Sequence, residues 1–331
     1  MAKRVRNAIV ALILVITLIT AIAVLIDLLN FDIPEREAPD MPLYYMGNGG
    51  IDLDMPGEGA SEEEVKAFVV DLYNLACANF KAEEKAAFEV RYTTTMYIAN
   101  GLITIPIPGS RYSVKDGDKR YYLDFTIPSQ DMIDSVVDMN LAPPKSSHYA
   151  EAVYTDATMD YMVSRKAYKD CAGFGLGSGP VFDENGAIVA DWDYVETAEL
   201  NKIVYAAYQD GEFRHTDHEV SMDTILTASV SYSEYGYYIC EFTLDPNKVP
   251  EALLNNLRES SGQPSAVYTE LKQTMTVWDT GYLRTYHALD YWEAGGFMSS
   301  ELDFETIYYY ENEPEKVDIN NYPYMAEMCH A

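Results

Sequence analysis

Three hydrophobic rhythms follow one another along the chain. From Ala8 to Ile26, nineteen consecutive residues are Ala, Val, Ile, Leu or Thr, and no charge lies between Arg6 and Asp27. A helix of that length spans roughly 28 Å, the thickness of a bilayer's hydrocarbon core. Only Thr17 and Thr20 interrupt the run, too few for the polar stripe of a soluble helix. The run is longer than a secretory h-region of about 7–15 residues, and its end, "AVLIDLLNF", offers no clean Ala-x-Ala site. No Cys lies in or just after it, so a lipid-attachment leader does not fit. We therefore expect a retained single transmembrane helix. Lys3, Arg4 and Arg6 precede it, while Asp27, Asp32, Glu35 and Glu37 follow it, which keeps the N-terminus cytoplasmic and the rest extracytoplasmic.

The second rhythm is helical. Ser61 followed by Glu64 forms a capping-box pattern, and Glu62 to Glu64 suit the positive end of a helix dipole. Val65, Phe68, Val69, Leu72, Leu75 and Ala76 then recur on one helical face. The third rhythm has a period of two. "FEVRYTTTMYIA" puts Phe88, Val90, Tyr92, Thr94, Met96 and Ile98 on one face and polar residues with Tyr97 on the other, a strand covered on one side. "RYYLDFTI" reads as a strand, "PSQDMIDSVVDM" as a short helix capped by Ser129, and "EAVYTDATMDYMVSRKAY" as a strand pair. After a glycine-rich loop, "CAGFGLGSGP", comes a helix near Glu196–Tyr208. A hairpin ("TILTASVSYSEYGYYICEFTL"), a helix after "DPNKVP", a long hairpin turning at Asp279–Gly281 and a last strand in "SSELDFETIYYYENE" complete the pattern. "YYLDFTIPSQDMID" and "YYICEFTLDPNKVPEALL" echo each other as strand–helix units, aligning with one extra residue at Cys240.

These rhythms divide the chain into residues 1–29 (cytoplasmic tip and membrane anchor), 30–60 (an acidic linker rich in Pro and Gly) and 61–331 (an extracytoplasmic domain). All 53 acidic residues but only 20 of the 23 Lys and Arg follow the anchor, a net charge of −33. Such a surface does not bind nucleic acid and does not lie on anionic headgroups. The 28 tyrosines against 11 phenylalanines and 3 tryptophans favour pleated, half-buried surfaces.

Candidate chemistry is sparse. Cys77, Cys171, Cys240 and Cys329 lie far apart without a C-x-x-C pair, so either one or two disulfides or four free thiols fits. "HTDH" at His215–His218 has two possible metal ligands three residues apart, in what reads as an exposed turn without a further ligand beside it. "GFGLGSGP" lacks the Lys-Ser/Thr of a phosphate loop and ends in Pro180. No nucleophile motif is present, and no cofactor is called for. His287, in "GYLRTYHALDYW", shares a strand face with Leu283, Thr285, Leu289 and Tyr291. It reads as a pocket residue or a hydrogen-bonded structural histidine.

"TVWDTGYLRTYHALDY" and "IYYYENEPEKVDI", with short helices after the "DFTIPSQ" and "EFTLDPN" strands, are similar to the closing strands of the bacterial lipoprotein-carrier superfamily, the LolA- and LppX-like half-barrels. The resemblance implies an α+β fold: a curved antiparallel sheet, or half-barrel, covered by helices and enclosing a site for acyl chains or another hydrophobic ligand. Many relatives carry an anchoring Cys; here the Ala8–Ile26 helix takes its place and keeps the protein at one membrane.

The expectation is a membrane-anchored, non-catalytic extracytoplasmic binding module for a lipid-like or other hydrophobic ligand. Strand faces nominate Val90, Tyr92, Met96, Tyr121, Phe125, Tyr238, Phe242, Leu271, Met275, Val277, His287 and Leu289 as its lining. A filled core is the plain alternative for all twelve. Two other readings are a protein-interaction or sensory ectodomain with a packed core, and a metal-dependent hydrolase at His215 and His218.

Overall fold

The computed structural model describes residues 40–47, 51–117, 119–126, 149–155, 162–165, 181–182, 188–189, 192–194, 216 and 218–321. The Ala8–Ile26 run, the helices expected after Ser129 and near Glu196–Tyr208, the glycine-rich loop, His215, Cys171 and Cys329 lie outside these residues. Among the described residues no helix is long and apolar enough to cross a membrane.

The fold is α+β. Its strands are β1 (Lys85–Ile98), β2 (Ile103–Asp116), β3 (Lys119–Thr126), β4 (Tyr149–Thr155), β5 (Met162–Arg165), β6 (Val181–Phe182), β7 (Ile188–Val189), β8 (Trp192–Tyr194), β9 (Ile225–Ser233), β10 (Tyr237–Leu244), β11 (Val267–Trp278), β12 (Leu283–Ala294) and β13 (Met298–Tyr310). Its helices are α1 (Glu62–Ala82), α2 (Glu251–Ser261) and α3 (Pro314–Val317). One open antiparallel sheet runs β8-β5-β4-β3-β2-β1-β13-β12-β11-β10-β9, and β6 pairs separately with β7. The seven strands from β9 to β2 in that order form its body. The first and last long strands, β1 and β13, lie side by side at its centre, in register from Ala86–Tyr310 to Ile98–Met298.

Helix α1 starts as its sequence dictates. Ser61 Oγ accepts from the Glu64 amide, and the Glu64 carboxylate accepts from the Ser61 amide at 2.7 Å, the reciprocal capping box. Those bonds hold the Glu64 carboxyl below its ordinary pKa. Its buried stripe of Phe68, Val69, Leu72, Tyr73, Ala76, Cys77 and Phe80 packs on one face of the sheet.

The register decides which residues share that face. From β9 to β2 it carries Val230, Tyr238, Cys240, Phe242, Leu271, Met275, Val277, Tyr286, Ala288, Phe304, Tyr308, Phe88, Val90, Tyr92 and Met96. The period-two pattern from Phe88 to Ile98 thus lies on the helix face. The opposite, outer face is capped at one end by α3 and the 3-10 turn Ile319–Asn321, where Val317 and Ile319 are buried with Ala87, Val114, Tyr121 and Tyr309.

Strand β2 carries no clean sequence signal, because "ITIPIPGSRYSVKD" contains two prolines and a glycine. The register explains how it is tolerated. Among the described residues β3 pairs with Gly109–Asp116, so Pro106 and Pro108 lie beyond its described pairing. Gly109 lies under the Tyr92 ring: a Cβ there would stand 2.2 Å from Tyr92 Cζ.

The Pro- and Gly-rich stretch before α1 is packed in part on the domain. Tyr45 is 4% exposed and stacks on Tyr310 at 4.4 Å, with Tyr282 edge-on at 4.8 Å. Ile51 and Leu53 pack on the same core. Residues 40–47 therefore form a strap held by Leu43 N–H donating to Glu313 and Thr280 Oγ1 donating to the Tyr45 carbonyl.

Candidate functional site

The twelve nominated residues separate into three groups. Tyr238, Phe242, Leu271, Met275 and Val277 belong to the cluster filled by α1 side chains, where Phe68 meets Tyr238 at 5.6 Å. Val90, Tyr92 and Met96 lie on the same face, beyond the α1 stripe, on β1. Tyr121, position 125, His287 and Leu289 fall on the outer face by register. His287 is a half-buried structural histidine there, its Nε2 2.9 Å from Asp303 Oδ1. The echoing segments differ by one residue: Phe242 lies in the main core, and position 125 pairs with Ser110 of β2 in the ladder.

The part of the helix face on β1 and β2 differs from the rest. Ile105 is buried, and Met96, Ile98, Ile103 and Ile107 pack against it half-buried. Every described member of this cluster comes from two adjacent strands, and no residue of α1 or α2 belongs to it. Tyr92 and Phe304, 5.6 Å apart, border it on the side of the main core. Leu302 and Met298 border it on the side of α2, where they pack on the Leu257–Trp292–Ala294 cluster. The described lining of this cluster is apolar, which suits an aliphatic chain better than a polar ligand.

A buried polar seam lies between the α1 and α2 clusters. Asp290, 6% exposed, accepts from His218 Nε2 at 2.8 Å and from Gln273 Nε2 at 2.9 Å. Tyr268 meets the His218 ring edge-on at 5.3 Å. Sequence reading placed His218 in an exposed turn. The structure buries it instead, because its short link to β9 folds over Asp290. His218 also borders a small cleft with Thr224, Leu244, Asp245, Lys248 and Leu271. Among the described residues no group of three or more His, Cys, Asp and Glu is placed to hold a metal ion. Cys77 and Cys240 are buried thiols in the main core, and burial pushes the Cys240 thiol up to about 12.

The end of the sheet beside the strap carries the described chain's densest aromatic packing. Phe80 meets Tyr308 and Tyr310 edge-on, and Tyr310 donates to the Leu283 carbonyl at 2.8 Å. Burial raises the phenols of Tyr286 and Tyr310 well above their ordinary value. Outside this core, Tyr44 and Tyr232 both donate to Asp279, at 2.6 and 3.0 Å, and the bond to Asp279 pushes Tyr44 up to about 12. A bulge between Thr276–Thr285 and Val277–Leu283 leaves Arg284 unpaired in the ladder. Its guanidinium sits 4.3 Å from the Tyr237 ring and 5.2 Å from Trp278. No carboxylate among the described residues pairs with it, and its Nε is buried without an acceptor.

No protein-family model matches this chain, and no curated protein matches it. Several solved structures are similar to it, two of them as follows. A DUF1329 family protein from Desulfovibrio piger shares 11% identity at a TM-score of 0.23, over 77% of this chain and 98% of its own. A domain assigned to outer membrane lipoprotein sorting in Vibrio parahaemolyticus shares 8% identity at a TM-score of 0.21, over 71% of this chain and 91% of its own.

Proposed function

We propose that the protein is a membrane-anchored extracytoplasmic binding module that holds a hydrophobic, lipid-like ligand on the helix face of β1 and β2, without covalent chemistry. One observation carries this reading: the Met96, Ile98, Ile103, Ile105 and Ile107 cluster continues the apolar face of the core beyond the reach of both described long helices. Burying a single aliphatic side chain stabilises by about 1.5–3 kcal/mol, so a face of this kind gains most from a ligand of the same chemistry. Val90, Tyr92 and Met96 are the nominated residues that line it. A sheet that curves around this site as a half-barrel belongs to the same proposal.

The Asp290 carboxylate is engaged on both oxygens by His218 and Gln273, so it is not itself directed at a ligand on the β1–β2 face. The test is titration of the purified full chain with a fluorescent fatty acid. Ile107→Glu is expected to weaken binding by about tenfold or more, equivalent to at least 1.4 kcal/mol. Leu226→Glu, on an exposed position of β9, leaves it unchanged. Equal affinity in both variants removes this face from the site, and no binding by the unsubstituted chain favours a protein-interaction domain instead.

A further inference from the structure

The strap end of the sheet exposes a set of apolar and aromatic side chains that the packed core beneath it does not use. Met41, Leu43 and Met46 of the strap are exposed, Met46 at 72%. Tyr44 lies with them, and Tyr232 and Tyr235 stand beside the β9–β10 turn, Tyr235 at 71%. These are two separate chain segments, joined by the shared bonds of Tyr44 and Tyr232 to Asp279. The patch continues inward through Trp278, 5.2 Å from Tyr44, to Arg284. It therefore combines exposed methionine and leucine, phenols with a polar tip, and a guanidinium free of carboxylate. Tyrosine and tryptophan are the residues that settle at a membrane–water boundary, where one end is apolar and the other wet.

The chain's own path supplies the occupant. The strap begins at Asp40, and the nineteen-residue apolar run ends at Ile26. Thirteen residues separate them. Even at full extension the fourteen steps from Ile26 to Asp40 reach no more than about 50 Å, at 3.3–3.6 Å per residue. The opposite end of the sheet, at the β1–β2 turn, lies a further strand length away, about 45 Å for the fourteen residues of β1. Of the two ends, only the strap end is joined directly to the segment read as the anchor.

We propose that the strap end is a membrane-docking surface. Met41, Leu43, Tyr44, Met46, Tyr232 and Tyr235 rest in the interface of the bilayer that holds the anchor, and Arg284 faces a lipid phosphate there. This rests on reading Ala8–Ile26 as a membrane span, and it is independent of what the β1–β2 face binds. A zwitterionic leaflet is the fitting partner. Asp40, Glu234, Asp279 and Glu313 stand around the patch, and the chain's net charge is −30, so an anionic leaflet is repelled. Docking also fixes orientation: the β1–β2 isoleucine cluster points away from the membrane.

The test uses the full chain in phosphatidylcholine liposomes with an environment-sensitive nitrobenzoxadiazole label at Met46→Cys or at Leu102→Cys. Leu102 is an exposed control in the β1–β2 turn. The signal from native thiols, measured on the unsubstituted chain, is subtracted. Lipids with a doxyl quencher near the headgroup should lower the emission at position 46 by about twofold or more and leave position 102 unaffected, because interfacial residues sit within the headgroup layer. Arg284→Gln should reduce the quenching at 46. Equal quenching at 46 and 102 overturns the proposal, as does a chain that fails to float with the liposomes. A failed fatty-acid titration leaves this result unchanged, so the two proposals fail separately.

Discussion

At the strap end of the sheet, Tyr308 and Tyr310 lie under Phe80 of α1, and Tyr45 closes over Tyr310 from the strap. At the opposite end, Met96, Ile98, Ile103, Ile105 and Ile107 occupy the same face on the adjacent strands β1 and β2, in a cluster that includes no residue of α1 or α2. The two ends differ in the residues used as well as in cover. The strap end is aromatic, with phenols that need partners or deep burial, and the far end is mainly aliphatic, with Thr94 and Ser300 beside its isoleucines by register. Phenols such as Tyr310 suit a permanent core, because each hydroxyl that finds a partner fixes its ring in one place. An aliphatic face makes no such demand and can accept chains of varying length. A strand pair can thus support a rigid base at one end and an adaptable surface at the other.

Alkaline pH should break this comparison most strongly. Burial raises Tyr286 and Tyr310 in the folded state, and Tyr44 stands near 12 through its bond to Asp279. For a phenol raised in this way, the stabilising contribution is complete below the unfolded value of about 10 and is lost as pH rises through the folded value. Circular dichroism should show the fold retained at pH 9 and lost cooperatively between pH 10 and 12, with the buried tyrosines ionising at 295 nm only as it unfolds. Ionisation of all tyrosines before unfolding contradicts a packed aromatic end.

Truncation at the two ends should differ next. Tyr310→Ala removes a fully buried ring and should cost about 3–5 kcal/mol in chemical denaturation. Ile105→Ala, in a cluster of five side chains from two strands, should cost about 2 kcal/mol, at the low end for such changes. Equal costs would mean that the far end is packed as firmly as the base. Between the ends, Asp290→Ala should cost about 2–3 kcal/mol by leaving the buried N–H groups of His218 and Gln273 without an acceptor. Asp290→Asn, which keeps one acceptor, should recover part of that loss in the same measurement.

Much of the fold was legible in the chain. The capping box at Ser61, the period-two face from Phe88 to Ile98 and the hairpin turning at Asp279–Gly281 all form as their patterns dictate. Strand β2 was hidden because Pro106, Pro108 and Gly109 signal a break, while the described pairing with β3 covers only Gly109–Asp116. The strap was hidden for a related reason: its Pro-, Gly- and acid-rich surroundings suggest a tether, while contacts with residues over 200 positions away secure it, Tyr45 on Tyr310 and Tyr282 and Leu43 to Glu313. The candidate site was legible only in part. Alternation identifies which residues of one strand share a face, but the relation between strands depends on register, and that placed Tyr121, His287 and Leu289 opposite Val90, Tyr92 and Met96. His218 stood out only as part of "HTDH", and its burial was hidden because its partner Asp290 lies 72 residues along the chain.

The central claim is that the aliphatic end holds a lipid-like molecule, and native mass spectrometry of the chain extracted from its own membranes tests it most directly. The unsubstituted protein should carry a non-covalent adduct of lipid mass. Ile107→Glu, extracted in the same way and matched for melting temperature, should appear without it. A bare unsubstituted protein, or an adduct retained in full by the Ile107→Glu chain, would contradict the account.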